Sequence, residues 1–474
     1  MDPSVIQTLH HATIALLDNT GIGIESEAAL ERLAAHGVRV DFDGRRAYPD
    51  EEHIQAALAS APRRITVHGR DGDRAVHLEG DNVYILSGGA SLRVHTLDGE
   101  YVAATWEHLR QFNVLLDALP NIHMCVNQVD PTDEPTDHFY RRVAAEMFIT
   151  CRKPILFQVG HAADVAAMIE MGAVICGSRR ALAECPIFIV GLNAEPPLHI
   201  SREVAEALIA AADAGLPASV GHYVMAGITA PVTAAGAVVH INAAQLTALV
   251  LAQAVRPEMP FIYTAFSGGG NMRTLDVMSA SPQALRIMRL ATAMGRWYGL
   301  PTYATSATDA RQPDAQAACE RAVQLFALAE AGAHIIQGAT SSMDQYMLSS
   351  FVQAVIDNDI IGYVLAARVR PSVAPEALAL EVTHEVLNDP SLKDLKFSAH
   401  PHTAAHSRGE MWQPRCFDYS NFAAWQRAGA LTVAERAEAA ARDILARHSV
   451  AELSPAAVAE LRGIATGQGS VNLI

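Results

Sequence analysis

The sequence predicts an α/β protein built around a (β/α)8 TIM barrel, with an N-terminal helical cap and a C-terminal helical extension. Three observations lead to this prediction: the number of short apolar runs, the distance between them, and the prolines that precede them. We expect the cap, made of helices and a hairpin, at residues 1–80, the barrel at 81–370 and the extension at 371–474.

The first observation is a set of eight apolar runs, each followed by a stretch rich in Ala and Leu. Strands that are buried on both faces of a parallel sheet are apolar along their whole length. The runs lie at residues 83–87, 122–128, 155–159, 187–191, 218–222, 261–265, 302–305 and 334–337.

The second and third observations concern where the runs begin. Successive starts are separated by about 31 to 43 residues, the length of a strand plus a crossover helix. Five runs follow a proline, which is tolerated at the first residue of a strand: Pro154, Pro186, Pro217, Pro260 and Pro301. A doubly wound open sheet would give the same alternation, but eight runs are enough to close a barrel and no GxGxxG motif follows the first run.

The segment before the first run predicts helices and a hairpin. Apolar residues keep helical spacing over residues 4–60, with an interruption at Gly21-Ile22-Gly23. Residues 65–76, with Asp71-Gly72 near their centre, predict a β-hairpin.

Composition restricts the classes of function. Hydrophobic residues make up 50% of the 474 residues and charged residues 18%, which is typical of a globular protein. The 35 Lys and Arg against 51 Asp and Glu give a net charge of −16. This charge disfavours nucleic acid or an anionic membrane as a partner and suits a small cationic substrate.

Cysteine usage and hydropathy indicate the compartment. The six cysteines include no CxxC pair, so neither a zinc cluster nor a disulfide framework is indicated. The chain shows no signal-peptide pattern and no uninterrupted apolar stretch of about 18 residues. We therefore expect a cytoplasmic protein, and the sequence is compatible with a homo-oligomer.

In (β/α)8 barrels the active site lies at the carboxyl ends of the strands. The residues that directly follow the runs are therefore candidate site residues before any chemistry is considered. They are Gly88, Gly89, Asn127, Gln128, Asp130, Gln158, His161, Asn193, Glu195, His222, Tyr223, Met225, Thr264, Ser267–Gly270, Ser306, Asp309 and Gln337.

Three features among or near these candidate residues could have a structural role instead of a functional one. Asp314 follows Pro313 at the expected start of a helix, so helix capping explains it as well as catalysis does. The run Ser267–Gly270 lacks the Lys of a phosphate loop, and we expect it to let a planar ligand or a partner loop approach the backbone. His400, His402 and His406 lie beyond the last run without an evident third ligand, so we expect no tightly bound metal.

Six short segments form a specific set, although none would suffice alone. They are Gly88-Gly89, Lys153-Pro154, residues 227–233, residues 309–320, residues 331–333, and His402-Thr403 together with residues 408–412. On these segments the chain resembles the trimethylamine methyltransferase family over nearly its whole length. The resemblance implies a barrel that passes methyl groups from methylamines to cobalamin, a corrinoid carried on a separate corrinoid-binding protein.

The resemblance also bears on the methyl donor. Founding members of the family carry pyrrolysine close to the stretch that corresponds to residues 306–309, where this sequence has only ordinary residues. The chain therefore resembles the non-pyrrolysine branch, which is associated with quaternary amines such as glycine betaine. Some members of that branch have a His near the end of the last strand, where this chain has Gln337-Gly338, so the substrate within the class stays open.

A chemical argument joins a quaternary donor to the lack of pyrrolysine. A tertiary amine must be protonated or otherwise activated before it leaves, whereas a quaternary nitrogen already carries its charge and leaves as a neutral amine. The protein then has to orient the donor and exclude water. Aromatic faces and carboxylates hold such cations, with cation–π contacts of about 0.5–2 kcal/mol each.

These arguments give expected roles to the candidate residues. We expect Asp309, Gln337 and His222 to be catalytic. Expected substrate-binding residues are Tyr223, Glu195, Tyr84, Tyr346 and Thr264, with Tyr263 and Phe266 as further ring candidates. We expect the corrinoid to approach an open face of the barrel mouth at Gly88, Gly89, Gly268, Gly269 and Gly270.

Three alternatives remain open on the sequence. The chain could be a tri- or dimethylamine methyltransferase, or a barrel that binds a betaine without catalysis. The third alternative is a lyase or hydrolase that uses Asp309, Asp314 and a divalent metal.

Overall fold

A computed structural model describes residues 2–133, 137–392 and 396–467 of the chain. The N-terminal segment contains three helices, three short strands and a hairpin. Asp2, Ser26 and Asp50 begin the helices as N-caps, because each side chain accepts a backbone N–H of the first turn. The elements are α1 (Pro3–Asn19), β1 (Ile22–Ile24), α2 (Glu27–Ala35), β2 (Arg39–Asp41), β3 (Arg46–Tyr48), α3 (Glu51–Ser60), β4 (Ile65–His68) and β5 (Ala75–Leu78).

Residues 84–367 alternate strands with helices and carry additional short strands in their loops. The elements are β6 (Tyr84–Leu86), β7 (Arg93–His95), β8 (Tyr101–Ala103), α4 (Trp106–Ala118), α5 (Phe139–Thr150), β9 (Ile155–Gln158), α6 (Ala162–Cys176), α7 (Arg179–Glu184), β10 (Phe188–Asn193), β11 (His199–Ile200), α8 (Arg202–Asp213), β12 (Ala218–Gly221), β13 (Val224–Ala226), α9 (Ala234–Val255), β14 (Phe261–Ala265), β15 (Ser267–Gly270), β16 (Val277–Met278), α10 (Pro282–Trp297), β17 (Thr302–Thr305), α11 (Ala315–Glu330), β18 (Ile335–Gln337), β19 (Ser342–Met343), a 3-10 helix (Asp344–Tyr346), β20 (Leu348–Ser350) and α12 (Phe351–Ala367).

Eight parallel strands close into a barrel. Seven of them form one sheet in the order β6-β18-β17-β14-β12-β10-β9. The remaining strand lies between β6 and β9, where Met124 pairs with Leu86 and Cys125 pairs with Ile155, both in parallel. The prediction of a (β/α)8 barrel is therefore confirmed.

The strand within residues 122–128 is less regular than the other seven. Ile85 O accepts hydrogen bonds from both His123 N (2.9 Å) and Met124 N (3.0 Å), so two residues oppose one as in a bulge. Ser87 N still donates to Met124 O (3.1 Å). The bulge explains why the ladder here is reduced to isolated bridges.

The predicted hairpin is formed by β4 and β5, which pair antiparallel, and it covers the amino-terminal end of the barrel. His68 N donates to Pro186 O (2.8 Å), two residues before β10. The hairpin and the barrel interior share one apolar cluster, which consists of Ile65, Val67, Val76, Leu78, Leu86, Met124, Val126, Leu156, Ile189, Ile262, Phe266, Tyr303 and Ile335. The hairpin thus forms a floor beneath the inward side chains of the strands.

The 22-residue helix α9 is apolar on all sides. It is the one helix of the described residues that is long and apolar enough to cross a membrane, but 72% of its apolar window is buried inside the protein. It packs against α1, α2, α3, α8, α10 and β14. Protein covers its apolar surface, which makes it a core helix.

The chain after α12 is helical in its described part. Asp359 of α12 accepts backbone N–H groups of Arg415 (2.9 Å), Cys416 (2.6 Å) and Phe417 (3.0 Å). The elements are α13 (Pro375–Leu378), α14 (Leu380–Asn388), two 3-10 helices (Pro390–Leu392 and Lys396–Ala399), α15 (Pro401–Glu410), α16 (Phe422–Arg427), α17 (Val433–Arg447) and α18 (Pro455–Ala465). The last two helices lie on the barrel, since α17 packs on α4 and α12, and α18 packs on α5 and α6.

Candidate active site

A cavity of about 320 Å³ lies at the carboxyl ends of the barrel strands, where such barrels place their sites. Its lining comes from barrel strands, from the residues that directly follow them, and from two loops. The lining residues are Gly89, Ala90, Leu156, Gln158, Gly191, Leu192, Asn193, Ser219, Tyr223, Phe266, Val277, Ser279, Tyr303, Thr305, Gln337, Gln345 and Tyr346.

Four aromatic rings line this cavity: Tyr223, Phe266, Tyr303 and Tyr346. Phe266 and Tyr303 meet edge to face, with ring centroids 4.7 Å apart and planes at 86°. Among the described residues that line the cavity, none is charged. Its polar groups are amides and hydroxyls, so aromatic faces are the main source of attraction for a cation inside it.

Tyr303 and Gln337 are joined by a hydrogen bond in which Tyr303 Oη donates to Gln337 Oε1. Burial raises the pKa of Tyr303 well above its usual value, so the phenol keeps its proton. The bond occupies the amide oxygen and leaves the Gln337 NH2 group free to donate. Gly89 lies beside that group, because a Cβ at residue 89 would be 2.9 Å from Gln337 Nε2.

Tyr223 is held by a loop that Asp309 fixes. Tyr223 Oη lies 3.2 Å from Ser279 Oγ, and burial raises the pKa of Tyr223 to about 12. Asp309 Oδ1 accepts from Ser279 N (3.0 Å) and Oδ2 accepts from Ala280 N (3.2 Å). Burial raises the pKa of Asp309, while these two amides oppose the shift. Asp309 therefore lies behind the cavity lining and positions it.

Three consecutive residues at the mouth have left-handed backbone conformations: Asp344 (φ 44°), Gln345 (φ 58°) and Tyr346 (φ 73°). Residues with side chains rarely adopt this region, and such strain is concentrated at functional sites. Asp344 N donates to Ala310 O (3.0 Å), and Ser91 Oγ donates to Tyr346 O (2.7 Å). These bonds hold the turn so that Gln345 and Tyr346 face the cavity.

A buried ion pair supports the loop between β18 and β19. Arg321 and Asp357 are both fully buried, with Nε and Oδ1 3.3 Å apart. Arg321 also donates to the carbonyl oxygens of Ser306 (3.1 Å), Gly338 and Ser342 (2.5 Å). Burial raises the pKa of Asp357, and Arg321 opposes that shift. The pair thus ties the end of β17 to the loop that leads to the strained turn.

Seven of the residues that the sequence offers as site candidates line the cavity, namely Gly89, Gln158, Asn193, Tyr223, Phe266, Gln337 and Tyr346. His222 does not line it, although it directly precedes Tyr223 in the segment between β12 and β13. His222 is buried near His240 of α9, and burial lowers its pKa to about 4.

Three predicted substrate-binding residues lie elsewhere in the barrel. Tyr84 begins β6 at the amino-terminal end, where its ring packs edge to face on His123. The exposed Glu195 accepts from Ser201 N (3.1 Å) and so braces its own loop. Thr264 Oγ1 donates to Val220 O (2.9 Å), a bond within the barrel wall.

The predicted glycines do not form an open face. Gly268, Gly269 and Gly270 belong to β15, which pairs with β13 and β16 in a separate small sheet. A Cβ at these positions would come within 2.7 Å of Tyr223 Oη, Ser281 Oγ and Ile228 Cγ1 respectively. A Cβ at Gly88 would lie 1.9 Å from Ser342 Oγ. Close packing inside the protein therefore accounts for these four glycines.

The Asp309 and Asp314 carboxylates serve two different local structures. Asp314 is the N-cap of α11 and accepts from Gln316 N (2.9 Å) and Ala317 N (3.1 Å), whereas Asp309 binds the backbone after β16. Within residues 2–133, 137–392 and 396–467, no three His, Cys, Asp or Glu side chains lie together as metal ligands would.

The most important cavity residue that the sequence analysis did not identify is Tyr303, which lines the cavity and donates to Gln337. It lies inside β17, where a continuous apolar run does not reveal which side chains point inward. The polar Thr305 at the strand end gives a signal, because residues two apart in a strand share a face. Gln345 and Ser279 could not be found in this way, since they reach the cavity from loops.

A closed parallel barrel with an aromatic cavity at the carboxyl ends of its strands is the architecture of an enzyme that binds a small molecule. The sequence profile described as trimethylamine methyltransferase matches residues 1–467. The chain therefore belongs to the trimethylamine methyltransferase family, as the sequence resemblance predicts, and it is a methyltransferase.

Individual relatives agree with this assignment. The chain is 26% identical over 466 residues to a glycine betaine methyltransferase of Desulfitobacterium hafniense, covering 98% of this chain and 96% of that protein. It is 25% identical over 366 residues to a proline betaine:corrinoid methyltransferase of Eubacterium limosum, covering 75% and 74%. The solved monomethylamine methyltransferase of Methanosarcina barkeri has a TM-score of 0.53 at 11% identity over 94% of this chain and 87% of that one, which shows a shared fold.

Proposed function

We propose that this protein transfers a methyl group from a quaternary ammonium compound of the glycine betaine kind to a corrinoid carried on a separate protein. The observation that supports this proposal most is the cavity with four aromatic rings and an uncharged lining. Relatives named for glycine betaine and proline betaine support the same substrate class.

The rings suit a cation that cannot donate hydrogen bonds. A quaternary nitrogen is surrounded by methyl and methylene carbons. When the cation binds, these carbons contact the ring faces and displace the water that covered the rings. Each such contact contributes about 0.5–2 kcal/mol. The Asp309 carboxylate, behind the Ser279 loop, adds a negative potential without touching the ligand.

The lining supplies no proton, and a quaternary donor needs none. When the methyl carbon leaves, the electron pair of the broken C–N bond stays on nitrogen and gives a neutral tertiary amine. Burial keeps the phenols of Tyr223 and Tyr303 protonated at ordinary pH. The chain contributes orientation and the exclusion of water rather than acid–base chemistry.

A carboxylate on the substrate would meet amide donors. The Gln337 NH2 group is free because Tyr303 occupies the amide oxygen. Gln158, Asn193 and Gln345 add further amides to the lining. We infer that these groups bind the carboxylate of a betaine while the rings hold the ammonium end.

The rim of the mouth has a surface that fits a docking protein. Ile228, Val232, Met272 and Leu275 are between 38% and 67% exposed. A Cβ at Gly227 would lie 3.0 Å from Met272 Cε and 3.5 Å from Val232 Cγ2, so the two loops meet. Exposed apolar clusters of this kind mark interaction sites. The corrinoid, when its carrier is bound here, supplies the cobalt centre that accepts the methyl group.

The test uses purified protein, chemically reduced cobalamin and a panel of methyl donors. The panel contains glycine betaine, proline betaine, carnitine, tetramethylammonium and trimethylamine. We expect the absorption spectrum of cobalt(I) to change to that of methyl-cobalt(III) with a quaternary donor. No change with any quaternary donor, or a change with trimethylamine alone, would refute the proposal.

A cytoplasmic location is part of the proposal. All six cysteines are free thiols, as expected in a reducing compartment. Fractionation of the cells that make the protein would test the location.

A further inference from the structure

Gln128 lies at the end of residues 122–128, which contain the irregular strand, and it is buried behind the cavity lining. Both ends of its side-chain amide are occupied. Oε1 accepts from Gly88 N (3.0 Å), and Nε2 donates to Ser349 Oγ of β20 (2.8 Å). Gln128 therefore joins the loop after β6 to a strand that lies more than 200 residues further along the chain.

From Gln128 a chain of hydrogen-bond donors leads to the strained turn at the mouth. Ser349 Oγ lies 2.9 Å from Ser91 Oγ, to which it donates, and 3.2 Å from the backbone oxygen of Gln128. Ser91 Oγ in turn donates to Tyr346 O (2.7 Å). Ser91 and Ser349 are fully buried, as Gln128 is. Because a hydroxyl has only one proton, Ser349 can donate to Ser91 only while residue 128 donates to Ser349 rather than accepting from it.

The two segments that this network joins both line the cavity, and both have an unusual backbone. Ala90 has a left-handed conformation (φ 58°), and so have Gln345 (φ 58°) and Tyr346 (φ 73°). All three residues line the cavity, as Gly89 does. Residues with side chains keep such conformations only where the surrounding structure fixes them. The network around Gln128 holds both segments at once.

The close approach of Gln128 also explains why residue 88 is a glycine. A Cβ at this position would lie 2.4 Å from Gln128 Nε2 and 1.9 Å from Ser342 Oγ. The next residue, Gly89, lies beside the free NH2 group of Gln337. Gln128 thus fixes the backbone directly next to the amide to which the proposed function gives the substrate carboxylate.

We propose that Gln128 is a positioning residue that determines which length of betaine the cavity binds. In the proposed function, on which this inference rests, the amide of Gln337 binds the carboxylate, and the rings, Tyr346 among them, bind the ammonium group. Gln128 fixes the backbone beside that amide directly and the backbone of Tyr346 through two hydroxyls. The distance between the two binding places is therefore held constant. A donor with a different number of methylene groups between its charged ends fits less well.

The first experiment measures the affinities of two donors by titration calorimetry, for the wild type and for Gln128→Met. Methionine has about the length of glutamine but replaces neither hydrogen bond of the amide. Glycine betaine has one methylene group between its charged ends, and γ-butyrobetaine has three. We expect the wild type to bind one of them at least about tenfold more tightly than the other, and the variant to bind both within about threefold.

The possible failures of this experiment are distinguishable. A wild type with equal affinities for the two donors, or a variant that keeps the wild-type ratio, overturns the role of Gln128 and leaves the proposed function standing. A wild type that binds neither donor refutes both.

Gln253→Met is the matched control. Gln253 of α9 is also a buried glutamine whose amide is bonded at both ends, since Oε1 accepts from Ser60 Oγ (2.8 Å) and Nε2 donates to Met259 O (2.8 Å). It contributes nothing to the cavity lining. Both variants should lower the unfolding free energy, but only Gln128→Met should change the ratio of the two affinities. An equal change of the ratio in both variants would show a general loss of stability instead of positioning.

A second variant tests whether Gln128 acts through Ser349. Ser349→Ala interrupts the chain of donors but keeps the bond from Gly88 N to Gln128, so it should lose part of the preference between the two donors. Added to Gln128→Met, it should change the ratio of affinities by less than about twofold, because the chain is already broken. A further loss of preference in the double variant would show that Ser349 acts on the cavity independently, and this would overturn the proposed chain.

Discussion

At the level of single residues, the hydrogen bond from Tyr303 to Gln337 links an aromatic ring to the amide beside Gly89. The hydroxyl fixes which end of the amide faces the cavity, since Oε1 is occupied and Nε2 is not. In the proposed function the two ends of a betaine bind different groups: we expect the ammonium at the rings and the carboxylate at the amide.

The first prediction concerns the Tyr303 hydroxyl. Tyr303→Phe keeps the ring but releases the amide, so the affinity for glycine betaine should fall about tenfold, a loss of about 1.4 kcal/mol. Affinity for tetramethylammonium, which has no carboxylate, should change less than about twofold. Titration calorimetry with both ligands measures the difference. Tyr84→Phe, at the other end of the barrel, serves as the control, and equal weakening of both ligands would contradict the assignment.

The second prediction concerns Asp130, which lies at the end of the irregular strand and accepts from Asn127 Nδ2 (2.5 Å). Burial raises the pKa of Asp130 to about 6, and the Asn127 bond opposes the shift. An ordinary Asp in the unfolded chain titrates near 3.9. The folded state therefore favours the protonated acid, and its contribution to stability is complete below pH 4 and lost as the pH rises to 6.

This contribution amounts to about 1–3 kcal/mol. Asp130→Asn keeps the size of the side chain and removes the titration. The difference in unfolding free energy between wild type and variant should change between pH 4 and 6.5 and be flat above that range. Urea denaturation at a series of pH values measures it, and a constant difference throughout would show that Asp130 titrates normally.

At the level of elements, the barrel strands could be predicted because burial on both faces makes each an apolar run, and proline marks five of the starts. Only part of the candidate site could be predicted from the sequence. The ends of the strands can be located in the sequence, and this identified Tyr223 and Gln337 as candidates. The sequence does not show in which direction a side chain points. The glycines of β15 show the limit, because glycine serves close packing inside a protein as well as access from outside.

The third prediction concerns the buried pair that ties α11 and α12 to the loop after β18. Arg321→Met leaves the Asp357 carboxylate buried and three carbonyls without their donor. The unfolding free energy should fall by about 3–5 kcal/mol. The exposed pair of Arg180 and Glu184 is the control, and Arg180→Ala should cost less than about 1 kcal/mol. Chemical denaturation compares the two, and similar losses would refute the structural role of Arg321.

At the level of the whole molecule, the barrel has two different ends. The amino-terminal end is filled by the β4–β5 hairpin, and the carboxyl end carries the cavity and the apolar rim. The sequence predicts the hairpin. It does not predict that the hairpin covers the end of the barrel, because this depends on contacts between residues far apart in the chain. The hairpin thereby closes the end of the barrel that lies opposite the cavity.

The fourth prediction concerns docking at the rim. Met272→Glu/Leu275→Glu places two charges where we propose that the carrier protein binds, so methyl transfer to the carrier-bound corrinoid should slow at least about tenfold. Transfer to free cobalamin, which needs no protein contact, should stay within about twofold. Val5→Glu controls for added charge. If both acceptors slow equally, the rim contributes to the cavity rather than to docking.

The β4–β5 hairpin, which closes the amino-terminal end of the barrel, also has a kinetic consequence for the proposed reaction. A cavity entered from one end gives the donor and the demethylated amine the same path that the docked carrier covers. Addition should therefore be ordered, with the donor bound first and the amine released last. High carrier concentrations should inhibit by forming a dead-end complex with the donor-free enzyme, and initial rates measured over a grid of both concentrations would reveal it.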